Sequence, residues 1–83
     1  MKITVRTAGL LGKHLPPGSD KNQAELEIDE GATAIDVMTR LGFPLDQSYL
    51  VSLNGTALPK AERGVRTLAE NDNLAIMPPL KGG

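Results

Sequence analysis

The chain has 83 residues and no cysteine. A disulfide framework, a thiolate zinc site and a cysteine nucleophile are therefore excluded. Its one histidine, His14, cannot form a metal cluster by itself, and tryptophan is missing. Phe43 and Tyr49 complete the aromatic inventory, too few for the stacking platforms that hold single-stranded nucleic acid. Neither charge dominates: nine basic against ten acidic side chains give a net charge of −1. That balance offers no basic face, so a nucleic-acid partner is not expected. No segment approaches the roughly 20 consecutive apolar residues of a membrane span. The opening Met1-Lys2-Ile3-Thr4-Val5-Arg6 alternates polar and apolar where a signal peptide would be continuously apolar. A small cytoplasmic domain without a membrane partner is the expectation.

What is present fits one domain, residues 1–83, with 40% hydrophobic residues for a modest core. From Lys2 to Thr7, Ile3 and Val5 share one face against Lys2, Thr4 and Arg6, the period of a strand buried on one side. Pro16-Pro17-Gly18-Ser19-Asp20 then excludes both helix and ladder. Before it, Leu10, Leu11 and Leu15 have the spacing of a short turn over the core edge. Ala24 to Ile28 alternates again as a second strand. Thr33 followed by Asp36 is a variant of the capping box, and Ile35, Val37, Met38 and Leu41 repeat at helical spacing. Gly42 stands where a left-handed residue closes a helix, and Pro44 prevents continuation. Tyr49, Val51 and Leu53 share a face of a third strand. Asn54-Gly55 turns the chain into a fourth, Thr56 to Leu58. The charged stretch from Pro59 to Val65 reads as irregular. Leu74 to Met77 is the last strand, entered through Asn71-Asp72-Asn73 and ended by Pro78-Pro79.

One amphipathic helix must cover one face of a mixed sheet of four to five strands. The last strand can fill the middle beside the first, which is the α+β arrangement of a β-grasp domain. Several motifs dissolve under this reading. Gly12-Lys13 lacks the first glycine and the Ser/Thr of a phosphate loop. Asn54-Gly55-Thr56 matches a glycosylation acceptor but is explained by the hairpin. His14, with no acidic or nucleophilic neighbour in sequence, reads as solvated. Glu25, Glu27, Asp29, Glu30 and Asp36 form an acidic run whose plain reading is a solvated edge plus helix-dipole complementation. The alternative is a docking surface for a basic partner, which would speed encounter. No catalytic acid–base or nucleophilic constellation emerges, so an enzyme is not expected.

One feature resists a purely structural reading. After the last strand come Pro78-Pro79-Leu80-Lys81-Gly82-Gly83. Two prolines stiffen the exit, and two glycines without Cβ can enter a narrow cleft. Lys81, Gly82 and Gly83 have little to bury, while ordering the backbone costs about 1–2 kcal/mol per residue. Residues 78–83 are therefore expected to be an exposed, flexible tail. Its reactive group is a glycine carboxylate, a poor electrophile until activated as an acyl-adenylate. On the sheet face away from the helix, Ala75 and Met77 alternate with the inward Leu74 and Ile76, which makes them the expected partner face.

These residues resemble the MoaD/ThiS sulfur-carrier family, relatives of ubiquitin, along essentially the whole chain. The resemblance is carried by Met1-Lys2-Ile3-Thr4-Val5, Leu15-Pro16-Pro17-Gly18, Glu30-Gly31-Ala32-Thr33 and Leu50-Val51-Ser52-Leu53-Asn54-Gly55. It continues through Leu68 to Met77 and is most specific at the Pro-Pro and Gly-Gly pairs, where it is closer to the molybdopterin than to the thiamine branch. The chain departs from the family at Ala8, where an aromatic is usual, and at Gly12, where an arginine is. Ile76 and Met77 also replace aromatics before the Pro-Pro pair. The resemblance implies that Gly83 is adenylated and then converted to a thiocarboxylate. Gly82 would give access, and Pro78, Pro79, Leu80 and Lys81 would present the tail. No bound cofactor is implied; ATP is used by the activating partner, an adenylating enzyme of the MoeB/ThiF type. A MoaE-like large subunit of molybdopterin synthase is the second implied partner. A thiamine-type carrier, a modifier joined through Gly83 to lysines, and a binding or regulatory subunit with an incidental tail are the alternatives.

Overall fold

A computed structural model describes residues 1–16, 19–20, 22–44 and 49–78. Pro17 and Gly18 of the expected proline loop lie outside the described residues, as do Pro79, Leu80, Lys81, Gly82 and Gly83 of the expected tail. Five strands form one mixed sheet: β1 (Lys2–Thr7), β2 (Gln23–Glu27), β3 (Leu50–Leu53), β4 (Thr56–Ala57) and β5 (Asn73–Met77). Their order across the sheet is β2-β1-β5-β3-β4. β1 and β5 are parallel neighbours, with Val5 opposite Leu74 and Thr7 opposite Ile76. β2 pairs antiparallel to β1, and β3 antiparallel to β5. The last strand thus occupies the middle beside the first, as the sequence leads one to expect, and the fold is β-grasp.

The one α-helix among the described residues, α1 (Ala34–Arg40), forms because both its ends are chemically marked. At its start the Thr33 hydroxyl accepts from the Asp36 N–H at 3.3 Å, while the Asp36 carboxylate accepts from the Thr33 N–H at 2.9 Å. The capping box is therefore complete. At its end Gly42 adopts φ +82°. The Phe43 N–H donates to the Met38 carbonyl at 3.0 Å and the Gly42 N–H to that of Thr39 at 3.1 Å. That pair of bonds is the Schellman closure. Ala34, Val37 and Met38 are the buried face, and Ile35 and Leu41 only half-buried. The expected apolar stripe is thus rotated toward Ala34.

The core joins this helix face to the inner face of the sheet: Ile3 and Val5, Leu26, Val51 and Leu53, Leu74 and Ile76. Leu74, Ile76 and Val5 have no exposed surface. Leu15 seals one edge from behind a 3₁₀ helix at Gly9–His14, and Leu58 and Leu68 seal another. Leu58 is buried although β4 stops at Ala57, one residue short of the expected strand. Asn54 (φ +52°) and Gly55 (φ +84°) make the two-residue hairpin turn, matching the right-handed twist of its strands. The Asn54 side chain also donates to Asp72 at 2.9 Å and accepts from the Asn73 N–H at 2.8 Å, tying the hairpin to the turn that enters β5.

The segment read as irregular is laced to the helix start. The Ile35 N–H donates to the Arg63 carbonyl at 3.0 Å, and the Leu68 N–H to that of Ala32 at 2.8 Å. Thr33 and Thr67 form an isolated bridge. His14 is not solvated as expected: its ring lies 4.4 Å from that of Phe43, which in turn meets Tyr49 edge-on at 5.5 Å. The helix closure brings Phe43 inward, and an imidazole covers it more cheaply than water does. Replacing Thr33 by Ala should lower unfolding stability by about 1 kcal/mol through the lost cap. Leu74→Ala should cost about 2–5 kcal/mol through the cavity it leaves at the sheet centre. Urea titration followed by circular dichroism checks both.

Candidate functional site: the outer sheet face at the end of β5

Strand alternation divides β5 between two tasks. Leu74 and Ile76 point into the core, whereas Ala75 and Met77 point out and stay half-buried. The neighbours of β5 extend the outward pair into a strip. Leu50 lies directly opposite Met77, Ser52 opposite Ala75, and Ala57 opposite Ser52. On the other side Arg6 stands opposite Ala75. Leu50 is 45% exposed, an apolar side chain left in water beside Met77.

Met77 borders a groove on each side, each of about 490 Å³. Toward β2 the groove is lined by Arg6, Asp20, Asn22 and Gln23 beside Ala75 and Met77. Toward β4 it is largely apolar, with Leu50, Ala57, Pro59 and Arg63. Pro78, exposed, follows Met77 directly. The face is thus an apolar ridge between two grooves, at the end of the central strand that leads into residues 78–83.

The structure brings together Ala75, Met77 and Pro78 of the sequence-based site. Gly83, Gly82, Lys81, Leu80 and Pro79 lie outside the described residues. Leu50 was missed. Its signal was available in the alternation of Tyr49, Val51 and Leu53, which puts Leu50 on the opposite face. The acidic run is divided between the edge strand β2 and the start of α1, where Asp29, Glu30 and Asp36 line a shared groove. Glu27 faces the Met1 amine at 3.4 Å, Glu25 faces Lys2 at 3.9 Å, and Asp36 is held in the capping box. The Glu27 carbonyl accepts a bond from the Arg40 guanidinium. Among the described residues there is no cluster of three metal-ligating side chains, and no helix long and apolar enough to cross a membrane.

A parallel β1–β5 pair at the centre of a five-stranded mixed sheet, one helix on one face and an apolar ridge on the other define a ubiquitin-like β-grasp domain. The ThiS family model matches residues 17–83. The chain belongs to the ThiS family, within the MoaD/ThiS group of ubiquitin-like proteins. Solved structures share its fold. SAMP1 from Haloferax volcanii aligns with a TM-score of 0.70 and 23% identity over 100% of both chains. A second structure of that organism's small archaeal modifier protein 1 aligns with a TM-score of 0.70 and 22% identity, over 95% of this chain and 98% of the other. A chain from the complex of subunits 1 and 2 of the molybdopterin-converting factor of Helicobacter pylori 26695 aligns with a TM-score of 0.60 and 17% identity over 100% of both. No curated protein matches the sequence.

The two phases of β5 make opposite demands. Met77→Asp should leave the cooperative unfolding transition in place, because the new carboxylate remains in water. Ile76→Asp should abolish it, because an unpaired charge in the core is among the costliest substitutions. Thermal unfolding monitored by circular dichroism separates them; equal loss of structure in both would contradict the assigned phase.

Proposed function

We propose that this protein is a sulfur carrier whose reactive group is the carboxylate of Gly83. The observation that carries the reading is the ThiS-family match, which runs through Gly82-Gly83 rather than stopping with the sheet. In this reading an adenylating enzyme brings the Gly83 carboxylate to ATP. A carboxylate oxygen bonds to the α-phosphorus and pyrophosphate leaves. A sulfide donor then attacks the acyl carbon, AMP departs, and a thiocarboxylate remains. A persulfide donor instead leaves an acyl disulfide, from which a second thiol releases the thiocarboxylate by forming a disulfide with the donor. None of this needs a side-chain acid, base or thiol from the carrier, in keeping with a chain that has no cysteine. Gly82 allows close approach in the enzyme cleft. Pro78, Pro79, Leu80 and Lys81 set the direction and reach of the tail. The ridge of Met77, Ala75 and Leu50 receives the partner, a role that its exposure and its position beside Pro78 support.

The sulfur acceptor in this reading is a molybdopterin precursor, with ATP consumed by the partner and the whole sequence cytoplasmic. Likeness to a subunit from the two-subunit molybdopterin-converting factor supports a large synthase subunit as a second partner. Likeness to the small archaeal modifier supports a second reading, conjugation through Gly83 to lysines of other proteins. Both uses begin with the same acyl-adenylate.

Deleting Gly82-Gly83, or extending the chain beyond Gly83, should abolish adenylation and leave the unfolding midpoint unchanged. Pyrophosphate exchange with the adenylating enzyme measures this; activity in an untrimmed extended protein would refute the proposal. Intact mass of protein isolated from its own cells without reductant distinguishes the two readings. A carrier shows exchange of one oxygen for sulfur at Gly83, whereas a modifier appears as conjugates that leave a diglycine remnant on target lysines.

A further inference from the structure

The groove on the β4 side of Met77 is walled by Leu50, Ala57, Leu58, Pro59 and Met77, and Arg63 is the charged residue among the described ones that line it. That arginine is held in place from three directions. Its Nε donates to the Leu58 carbonyl at 3.0 Å. Its backbone N–H donates to the Lys60 carbonyl at 3.3 Å, and its carbonyl accepts from the Ile35 N–H at 3.0 Å. The last bond joins it to the start of α1. Among the described residues no carboxylate forms an ion pair with it. The opposite groove differs, because there Arg6 shares the lining with Asp20.

A guanidinium is permanently charged and presents a planar fork that matches a carboxylate. With Nε engaged, its terminal N–H groups are the ones left to face a ligand. Fixing the side chain beforehand removes much of the entropy that binding would otherwise cost. Apolar walls beside it lower the local dielectric once a partner covers them, which strengthens a bond to an opposite charge. No described residue that lines this groove supplies that charge, and the complement is assigned to the occupant. The groove also shares Met77 with the end of β5, the strand that leads into Pro78, so a partner that engages this strand end is close to it.

We infer that this groove receives an acidic side chain flanked by an apolar one from the adenylating enzyme, and that Arg63 is the specificity-determining residue for that contact. The inference rests on the carrier reading for the identity of the partner, but it makes a separate claim about where and by what chemistry the partner binds.

The test uses the full chain and the purified adenylating enzyme of the same organism, with Kd measured by calorimetry at two salt concentrations. Arg63→Glu should weaken binding at least tenfold and flatten its salt dependence. Because this variant also alters the bond to Leu58, Leu50→Asp serves as the second probe. Leu50 lies on β3, is 45% exposed and makes no bond to Arg63, so its carboxylate should repel the incoming acid and weaken binding at least tenfold without unfolding the domain. Thr39→Ala, an exposed change on α1, should stay within threefold of wild type. Wild-type affinity in both charged variants, or no binding of the wild-type chain, would overturn the inference. Failure of the carrier reading has a different signature: Arg63-dependent binding without adenylate or thiocarboxylate at Gly83 by mass.

Discussion

The parallel contact between β1 and β5 is the constraint from which the remaining architecture follows. Parallel strands cannot be joined by a tight turn, so everything between residues 7 and 73 must travel around the sheet and return. β2 takes one side of β1, β3 and β4 take the far side of β5, and α1 covers one face. Val5, Leu74 and Ile76 at this central pair have no exposed surface. Substitutions there would disturb both halves of the sheet at once, because each half reaches the other only through these two strands.

The same pairing places the functional face. A central strand has its backbone groups satisfied on both sides and is the least free to shift register. Met77 and Ala75 therefore occupy fixed positions, and Pro78 leaves the domain from a firm base. On the proposed reading, a carrier that offers its tail to an enzyme gains from this arrangement, because the sheet fixes the platform while the chemistry belongs to a few residues beyond it. Leu50, opposite Met77, enlarges the ridge without demanding anything of the core. Arg63 sets a charge beside it that arrives from a distant part of the chain.

Features that depend on near neighbours were legible in the sequence. Thr33, Asp36 and Gly42 mark the helix ends through bonds spanning a few residues, and Asn54-Gly55 marks the hairpin through its backbone preference. The alternation of Ile3 with Val5 and of Leu74 with Ile76 is a local pattern as well. The features that escaped depend on closure over long separations. His14 stacks on Phe43, and Arg63 is fixed by Leu58 and Ile35. The window around His14 does not contain Phe43, and the one around Arg63 contains Leu58 and Lys60 but not Ile35. The stretch from Pro59 to Val65 reads as irregular, whereas it forms a 3₁₀ turn at Lys60–Glu62 that is tied to the start of α1 through Arg63. Of the site, Ala75 and Met77 were legible from alternation. Leu50 could have been read the same way. Gly83 rests on tail composition and family resemblance, since an acyl carbon carries no side-chain pattern.

The capping of β1 by β5 has a temporal side. Strand β1 leaves the ribosome first, yet its parallel partner begins at Asn73. During synthesis Val5 and Ile3 can gather only β2 and the helix, and the centre of the sheet stays open on one flank. Pairings between positions so far apart in sequence close slowly, and until then an apolar strand edge is available to other chains. The domain therefore completes itself only once the strand bearing the partner face has emerged, so the presenting surface and a finished core come into existence together. A chain stalled before β5 has neither, because it lacks both the central core residues Leu74 and Ile76 and the outward Ala75 and Met77.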